Sequence, residues 1–263
     1  MSAAPTAGRI RRLTLIRGPV AALCFLTRLP VGRWVEVDGD DMTRSGPAFP
    51  LVGAGIGAAV GWLAAALAGP LSPLLAVALA LAVGALLTGA LHLDALADTA
   101  DALGTHSRAR ALEVMRDSTI GAFGASAIGL DLLLKAGALT ALVHDHRAVR
   151  FAVAAGALSR LVPVLLAAAL PYARAGEGAG VALTRGGPVG GVLATVVASA
   201  FAVGLAGEDG AAMVGFTAAL TVVLALACRR WLGGVTGDAL GAALELTETG
   251  ALVLAVALVG GHA

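Results

Sequence analysis

Apolar residues fall into long runs at 49–68, 71–91, 121–143, 151–170, 188–205 and 211–228. A helix needs about 20 such residues to cross the hydrocarbon core of a bilayer, so each run predicts a membrane-crossing helix. A shorter run covers 250–259. At about 10 residues it cannot span alone, and the pattern predicts a longer helix that borrows the more polar 238–249 as its first half. The fold class is therefore all-α, a polytopic integral membrane helical bundle of six to seven transmembrane helices. No internal repeat, low-complexity segment or linker divides 1–263, which reads as one membrane-embedded domain. Ahead of the runs, Arg9, Arg11, Arg12 and Arg17 precede an apolar 20–26. No A-x-A-like cleavage site follows, so the segment is expected to be retained as an amphipathic or interfacial helix rather than removed as a signal peptide.

The loops between the runs differ in charge. With the N-terminus on the cytoplasmic side, the loops at 30–48, 92–120, 171–187 and 229–248 fall inside and collect nearly all the arginines, whereas the outside loops hold only Arg147 and Arg150. That asymmetry fits the positive-inside rule. The acidic residues gather on the same side, which places a polar site at the cytoplasmic face of a cell membrane.

Composition removes several classes of function. Hydrophobic residues make up 58% and charged residues 13% of the chain, against roughly 25% charged in soluble domains. A net charge of +1 and 4% aromatics offer neither a basic surface nor stacking platforms, so nucleic acid is excluded as a partner and the lipid bilayer is the expected one. Cys24 and Cys228 lie far apart with no CxxC or His/Cys cluster, which speaks against a disulfide framework or zinc site. A homo-oligomer is compatible with these features.

Three constellations carry chemistry. In HLDALADTAD (92–101), Asp94, Asp98 and Asp101 stand at i, i+4 and i+7 and share one helix face. Three like charges at that spacing repel unless a cation sits among them, and Mg²⁺ is commonly held by one or two carboxylates plus substrate phosphates; a solvated acidic face is the plainer alternative. A second stripe runs from Asp117 through Gly121 and Gly124 to Asp131 and Lys135, the last being the only lysine in the chain. Ionisable residues at membrane depth suggest function, with mutual neutralisation of Asp131 and Lys135 as the competing reading. The third is GGVTGDALGAALELTE (233–248), where Gly237 and Asp238 open a helix that also carries Glu245 and Glu248. Exposed N–H groups at a helix N-terminus suit a phosphate, though an ordinary cap would look similar. Arg160 lies within a run and is either a phosphate ligand or the partner of a bundle carboxylate. His92 is a candidate proton acceptor, and Arg174 sits in a glycine-rich loop that reads as a mobile cover. A transporter or a non-catalytic scaffold would also carry charged residues in its spans; the crowding of acids on one side favours Mg²⁺-assisted transfer of a phosphorylated group.

At these residues the sequence resembles the cobalamin synthase family, the adenosylcobinamide-GDP ribazoletransferases. The matching segments are FLTRLPVG (25–32), FPLVGAGIG (49–57), HLDALADTADAL (92–103), MRDSTIGAFG (115–124) with the following LLLK, and GGVTGDALGA with its downstream ELTE, in order along the chain. The resemblance implies that a ribose hydroxyl of α-ribazole or α-ribazole 5′-phosphate attacks the cobinamide-side phosphorus of adenosylcobinamide-GDP and expels GMP, with Mg²⁺ as cofactor. It implies Asp94, Asp98 and Asp101 as metal or metal–phosphate ligands. His92, Asp117 and Asp238 join them in the expected catalytic set, and Arg28, Arg116, Lys135, Arg160, Gly237 and Glu245 form the expected substrate- or phosphate-binding set. Ala95 and Ala102 stand where the family pattern has glycine. Alanine favours the helix by about 1 kcal/mol per site, so the acidic segment is expected to be regularly helical, without a close backbone approach at residue 95.

Overall fold

The computed structural model describes residues 14–117, 119–174 and 179–261. They form helices α1 (Thr14–Leu26), α2 (Gly39–Thr43), α3 (Phe49–Leu67), α4 (Pro73–Thr88), α5 (Leu91–Leu103), α6 (Arg108–Val114), α7 (Ala122–His144), α8 (Ala148–Ala169), α9 (Ala179–Thr184), α10 (Gly187–Trp231) and α11 (Gly237–Gly260). Extended pairing among the described residues is confined to one parallel bridge between Tyr172 and Val235.

Five helices, α3, α7, α8, α10 and α11, have the length and apolarity of membrane spans, and α4 joined to α5 across a sharp bend makes a sixth. α10 is itself two arms. Gly207 leaves helical geometry with φ 56° and ψ −126°, a conformation open to glycine. The chain folds back there so closely that a Cβ on Gly210 would lie 2.0 Å from the carbonyl oxygen of Ala202. Residues 187–206 and 208–231 are thus two separate arms, each of crossing length. α11 runs unbroken through 237–260, so the short terminal run does extend through the polar stretch before it. The protein is an all-α, multi-pass membrane bundle.

α8 lies at the centre, buried along nearly its whole length. Lipid offers no hydrophobic drive for helix association, so close packing must supply it, and small residues permit that approach. α3 presents Gly53 and Gly57 to α8; a Cβ at either would come within 2.1 Å of a backbone oxygen, of Gly156 and Ala152 respectively. The described part of α1, 13 residues, is shorter than a crossing needs. It packs beside α2 and α3, with Ala21, Ala22 and Leu26 buried and Ile16 exposed, as an interfacial helix would. Arg9, Arg11 and Arg12 lie outside the described residues. Both cysteines are free.

Candidate active site

The site begins at the bend after α4. Gly89 and Ala90 both adopt the left-handed conformation, φ 66° and 55°, and the Ala90 amide donates to the carbonyl of Ala85 at 2.8 Å, closing the end of α4. The bend of 89° turns α5 across one end of the bundle, so α5 is not itself a crossing. Its helix is continuous through Ala95 and Ala102. Ala95 is buried against Gly241 of α11, where a Cβ would come within 2.5 Å of the alanine methyl. The position that carries alanine in place of glycine is therefore matched by a glycine on the facing helix.

The three carboxylates on the α5 face have different surroundings. Asp101 is fully engaged: its two oxygens accept from the amides of Gly121 at 2.7 Å and Gly124 at 2.9 Å, at the start of α7. A carboxylate there satisfies orphan N–H groups and the positive end of the helix dipole. Of the expected metal trio Asp94, Asp98 and Asp101, Asp101 is thus held by amides at the start of α7. Asp94 is exposed and Asp98 half-buried. Burial, then the charges of Asp94 and Asp238, push the Asp98 carboxyl up to about 6.

Asp238 reaches the same place from α11. Thr236 caps that helix, its hydroxyl oxygen accepting from the Ala239 amide at 3.0 Å. Asp238, in the first turn, accepts from the Arg174 guanidinium at 2.8 Å. The segment before Arg174 is fixed by the Tyr172–Val235 bridge, with the Ala173 amide donating to Val235 at 2.8 Å and the Val235 amide to Pro171 at 2.9 Å. The Gly237 amide donates to the Tyr172 hydroxyl at 3.3 Å. Arg174 is thus a tethered partner of a carboxylate, while residues 175–178 of the loop expected to cover the site lie outside the described residues. Among the described residues no three His, Cys, Asp or Glu side chains are already gathered as an ion site. Asp94, Asp98 and Asp238 are the oxygen donors present, and their mutual repulsion fits a hard cation that draws its remaining ligands from water and phosphate.

Asp94 and Asp238 stand on the rim of a cavity of about 240 Å³, with Asp98 and Arg174 beside them. Asp94, Asp238, Gly237 and Tyr172 line its polar side, and Phe25, Phe49, Leu183 and Leu244 belong to its apolar wall. His92 also lines it; the side chain is 4% exposed and neither ring nitrogen has a hydrogen-bond partner.

A second charged group lies deeper, between α7, α8 and α11. Lys135 is bridged to Asp131 at 3.0 Å and also to Glu245. Arg160 pairs with Glu248 and donates to Ser159 at 2.9 Å, and Thr249 donates to Asp131. Lys135, Arg160 and Glu245 belong to the expected substrate-binding set; each is turned toward a charged partner, and the competing reading of Asp131 and Lys135 as a neutralising pair is seen in their bridge, since a charge at membrane depth is costly unless a partner neutralises it. Four expected residues stay at the periphery of the cavity or away from it. Asp117 is exposed and turns back on its own loop, accepting from the Thr119 amide at 3.0 Å and hydroxyl at 2.8 Å, which hold its carboxyl below the usual range. Arg116 is exposed, Arg28 is exposed with its side chain over Gly89 at the bend, and Gly237 is at the rim. The sequence reading passed over Tyr172, the single tyrosine of the chain, and the aromatic wall. It also left Arg160 without a named partner, although two lone opposite charges in neighbouring apolar helices have little choice but to pair.

Comparison with known proteins agrees with this architecture. The family model described as cobalamin-5-phosphate synthase matches residues 18–256. A protein of Leptothrix cholodnii named adenosylcobinamide-GDP ribazoletransferase is 43% identical over 244 residues, covering 88% of this chain and 91% of its own. Proteins of the same name from Syntrophobacter fumaroxidans and Escherichia coli are each 38% identical, covering 86% and 87% of this chain and 93% and 94% of their own. No solved structure matches. The chain belongs to the cobalamin-5-phosphate synthase family.

Proposed function

We propose, from this membership and from the rim of carboxylates at the mouth of the cavity, that the protein is an adenosylcobinamide-GDP ribazoletransferase. A ribose hydroxyl of α-ribazole, or of α-ribazole 5′-phosphate, forms a new bond to the cobinamide-side phosphorus. The bond from that phosphorus to the bridging oxygen breaks, GMP leaves with the oxygen, and the hydroxyl proton passes to the protein. The product is adenosylcobalamin or its 5′-phosphate.

Asp94 of α5 and Asp238 of α11 lining one cavity, with Asp98 near enough to feel both charges, is the observation that carries this reading. Asp94 and Asp98 would hold Mg²⁺, with Asp238 beside them. An ion held there would supply positive charge to the phosphate oxygens. Arg174 contributes a second positive charge at the rim and holds Asp238 in place. His92, lining the cavity with both nitrogens free, accepts the hydrogen of the attacking hydroxyl. Tyr172 and Gly237 fix the mouth of α11 against the segment bearing Arg174. Arg28 and Arg116, exposed on the same side, offer further cationic contact for the pyrophosphate. The loops at the other end carry Arg147 and Arg150 and those at this end most of the arginines, which by the positive-inside rule supports a site at the cytoplasmic face of the cell membrane.

The test uses protein purified in detergent or liposomes, incubated with adenosylcobinamide-GDP, α-ribazole and Mg²⁺, with GMP and cobalamin followed beside an EDTA control and Asp98→Asn. Both products form in the presence of metal and are absent from the control and the variant. A folded wild-type protein that makes neither product with either form of ribazole overturns the reading.

A further inference from the structure

The cavity behind the carboxylate rim has two unlike halves. Toward the rim are Asp94, Asp238 and Tyr172; inward, His92 is the one polar side chain among Phe25, Leu26, Phe49, Pro163, Leu183, Leu240 and Leu244. Phe25 and Phe49 lie with ring centroids 5.9 Å apart and planes tilted by 32°, so one wall is aromatic. Binding pockets of this kind take an apolar body and orient it through a few polar groups at one end.

The two substrates of the proposed reaction make different demands on such a space. A cavity of about 240 Å³ is far too small for a corrinoid ring with its side chains. Guanine is small enough, but it carries several donors and acceptors around its edge. Burying them against leucine, phenylalanine and proline would leave them unpaired at a cost of about 1–3 kcal/mol each. The base of α-ribazole is a flat, methylated bicycle with little polar edge. Placed against the aromatic wall, it would leave its ribose beside His92 and the rim, where the hydroxyl has to meet phosphorus.

Resting on the transferase reading above, we infer that the apolar slot is the subsite for the aromatic base of the acceptor nucleoside, and that adenosylcobinamide-GDP stays outside it with only its pyrophosphate at the rim. The slot then sets which lower-ligand base the enzyme accepts. Leu183 on α9 is 4% exposed and forms part of its wall.

The experiment is steady-state kinetics with each substrate varied in turn, on wild type, Leu183→Trp and Leu183→Ala in detergent. Filling the slot raises KM for α-ribazole about tenfold or more, while KM for adenosylcobinamide-GDP stays within about twofold. Opening it with Leu183→Ala raises the relative kcat/KM for a riboside whose base carries an additional fused ring. Fluorescence titration with α-ribazole alone gives a direct readout, with binding to wild type that weakens in Leu183→Trp. Wild-type turnover with KM for α-ribazole unmoved in both variants overturns the subsite assignment and leaves the reaction standing, as does a change confined to adenosylcobinamide-GDP. Absence of wild-type turnover overturns the reaction itself. Should Leu183→Trp fail to fold, the base preference of Leu183→Ala decides alone: an unchanged ranking of bases rejects the proposal.

Discussion

Two groups of charged residues stand near each other in this bundle, and they are opposites. In the deep group, Lys135 and Arg160 face Asp131, Glu245 and Glu248, and every one of these side chains has an ionic partner. At the rim, Asp94, Asp98 and Asp238 face mainly one another, with Arg174 the bonded cation. The deep group lies where water cannot help, so its charges are neutralised on the spot. The rim group lies where water and substrate can reach, and it holds negative charge in excess. The contrast teaches that residues of the same type are structural where their charges cancel and chemical where they are left to attract something else.

The largest effect should come from changing the rim. Asp98→Asn is expected to lower turnover by about 10³-fold or more, as loss of a metal ligand and its charge does, with the protein still inserted and folded, read by product formation and size-exclusion profile. A variant that turns over normally would remove Asp98 from the metal-binding set. Next is Lys135→Met in the deep group, which leaves Asp131 and Glu245 without their cation and should cost about 3–5 kcal/mol, measured by unfolding in detergent. Adding Asp131→Leu and Glu245→Leu should return most of that stability together with activity. Activity that stays lost once stability is restored would give Lys135 a part in catalysis and blur the contrast.

Acidity should separate the two groups further. The folded-state value for Asp98, about 6, stands above its ordinary 3.8. The metal-free fold therefore binds that proton more tightly than the unfolded chain does. Asp98 adds stability at low pH, and the contribution is lost as pH rises through about 6. Because the group is only partly buried, solvent screening keeps this to about 1 kcal/mol. Turnover should move the other way, falling below about pH 6, and added Mg²⁺ should carry the acid limb to lower pH by competing with the proton. An acid limb that ignores Mg²⁺ would break the link between Asp98 and the ion. Asp101→Ala should cost about 1–2 kcal/mol through the lost cap on α7, with less effect on turnover than Asp98→Asn. Smallest of all, Glu245→Gln leaves two cations against two carboxylates in the deep group and should change stability by about 1 kcal/mol or less, with turnover retained.

The crossings were legible because length and apolarity alone decide them, and even the half-polar α11 could be read from a run too short to span. The acidic face of α5 was legible as well, since helical spacing put its carboxylates in line. Their separate fates were not. Asp101 is claimed by amides 20 and 23 residues further on, and Arg160 by a glutamate 88 residues away, and such partners follow from how helices cross rather than from local pattern. For Lys135 and Arg160 the sequence offered function and charge pairing side by side, and it is the pairs that are seen. Leucines and phenylalanines of the cavity wall look in sequence like any other core residues.

The burial of Arg160 also has a consequence in time. Synthesis runs from the N-terminus, so α8 enters the bilayer before α11, and with it Glu248, has been made. For that interval a guanidinium sits in a helix whose partner does not yet exist, at a cost of about 2.5–3.5 kcal/mol at the centre of a membrane. The arrival of α11 supplies that partner and, through Asp238, completes the rim. Insertion of α11 thus relieves the nascent bundle in the same step that brings Asp238 to the rim.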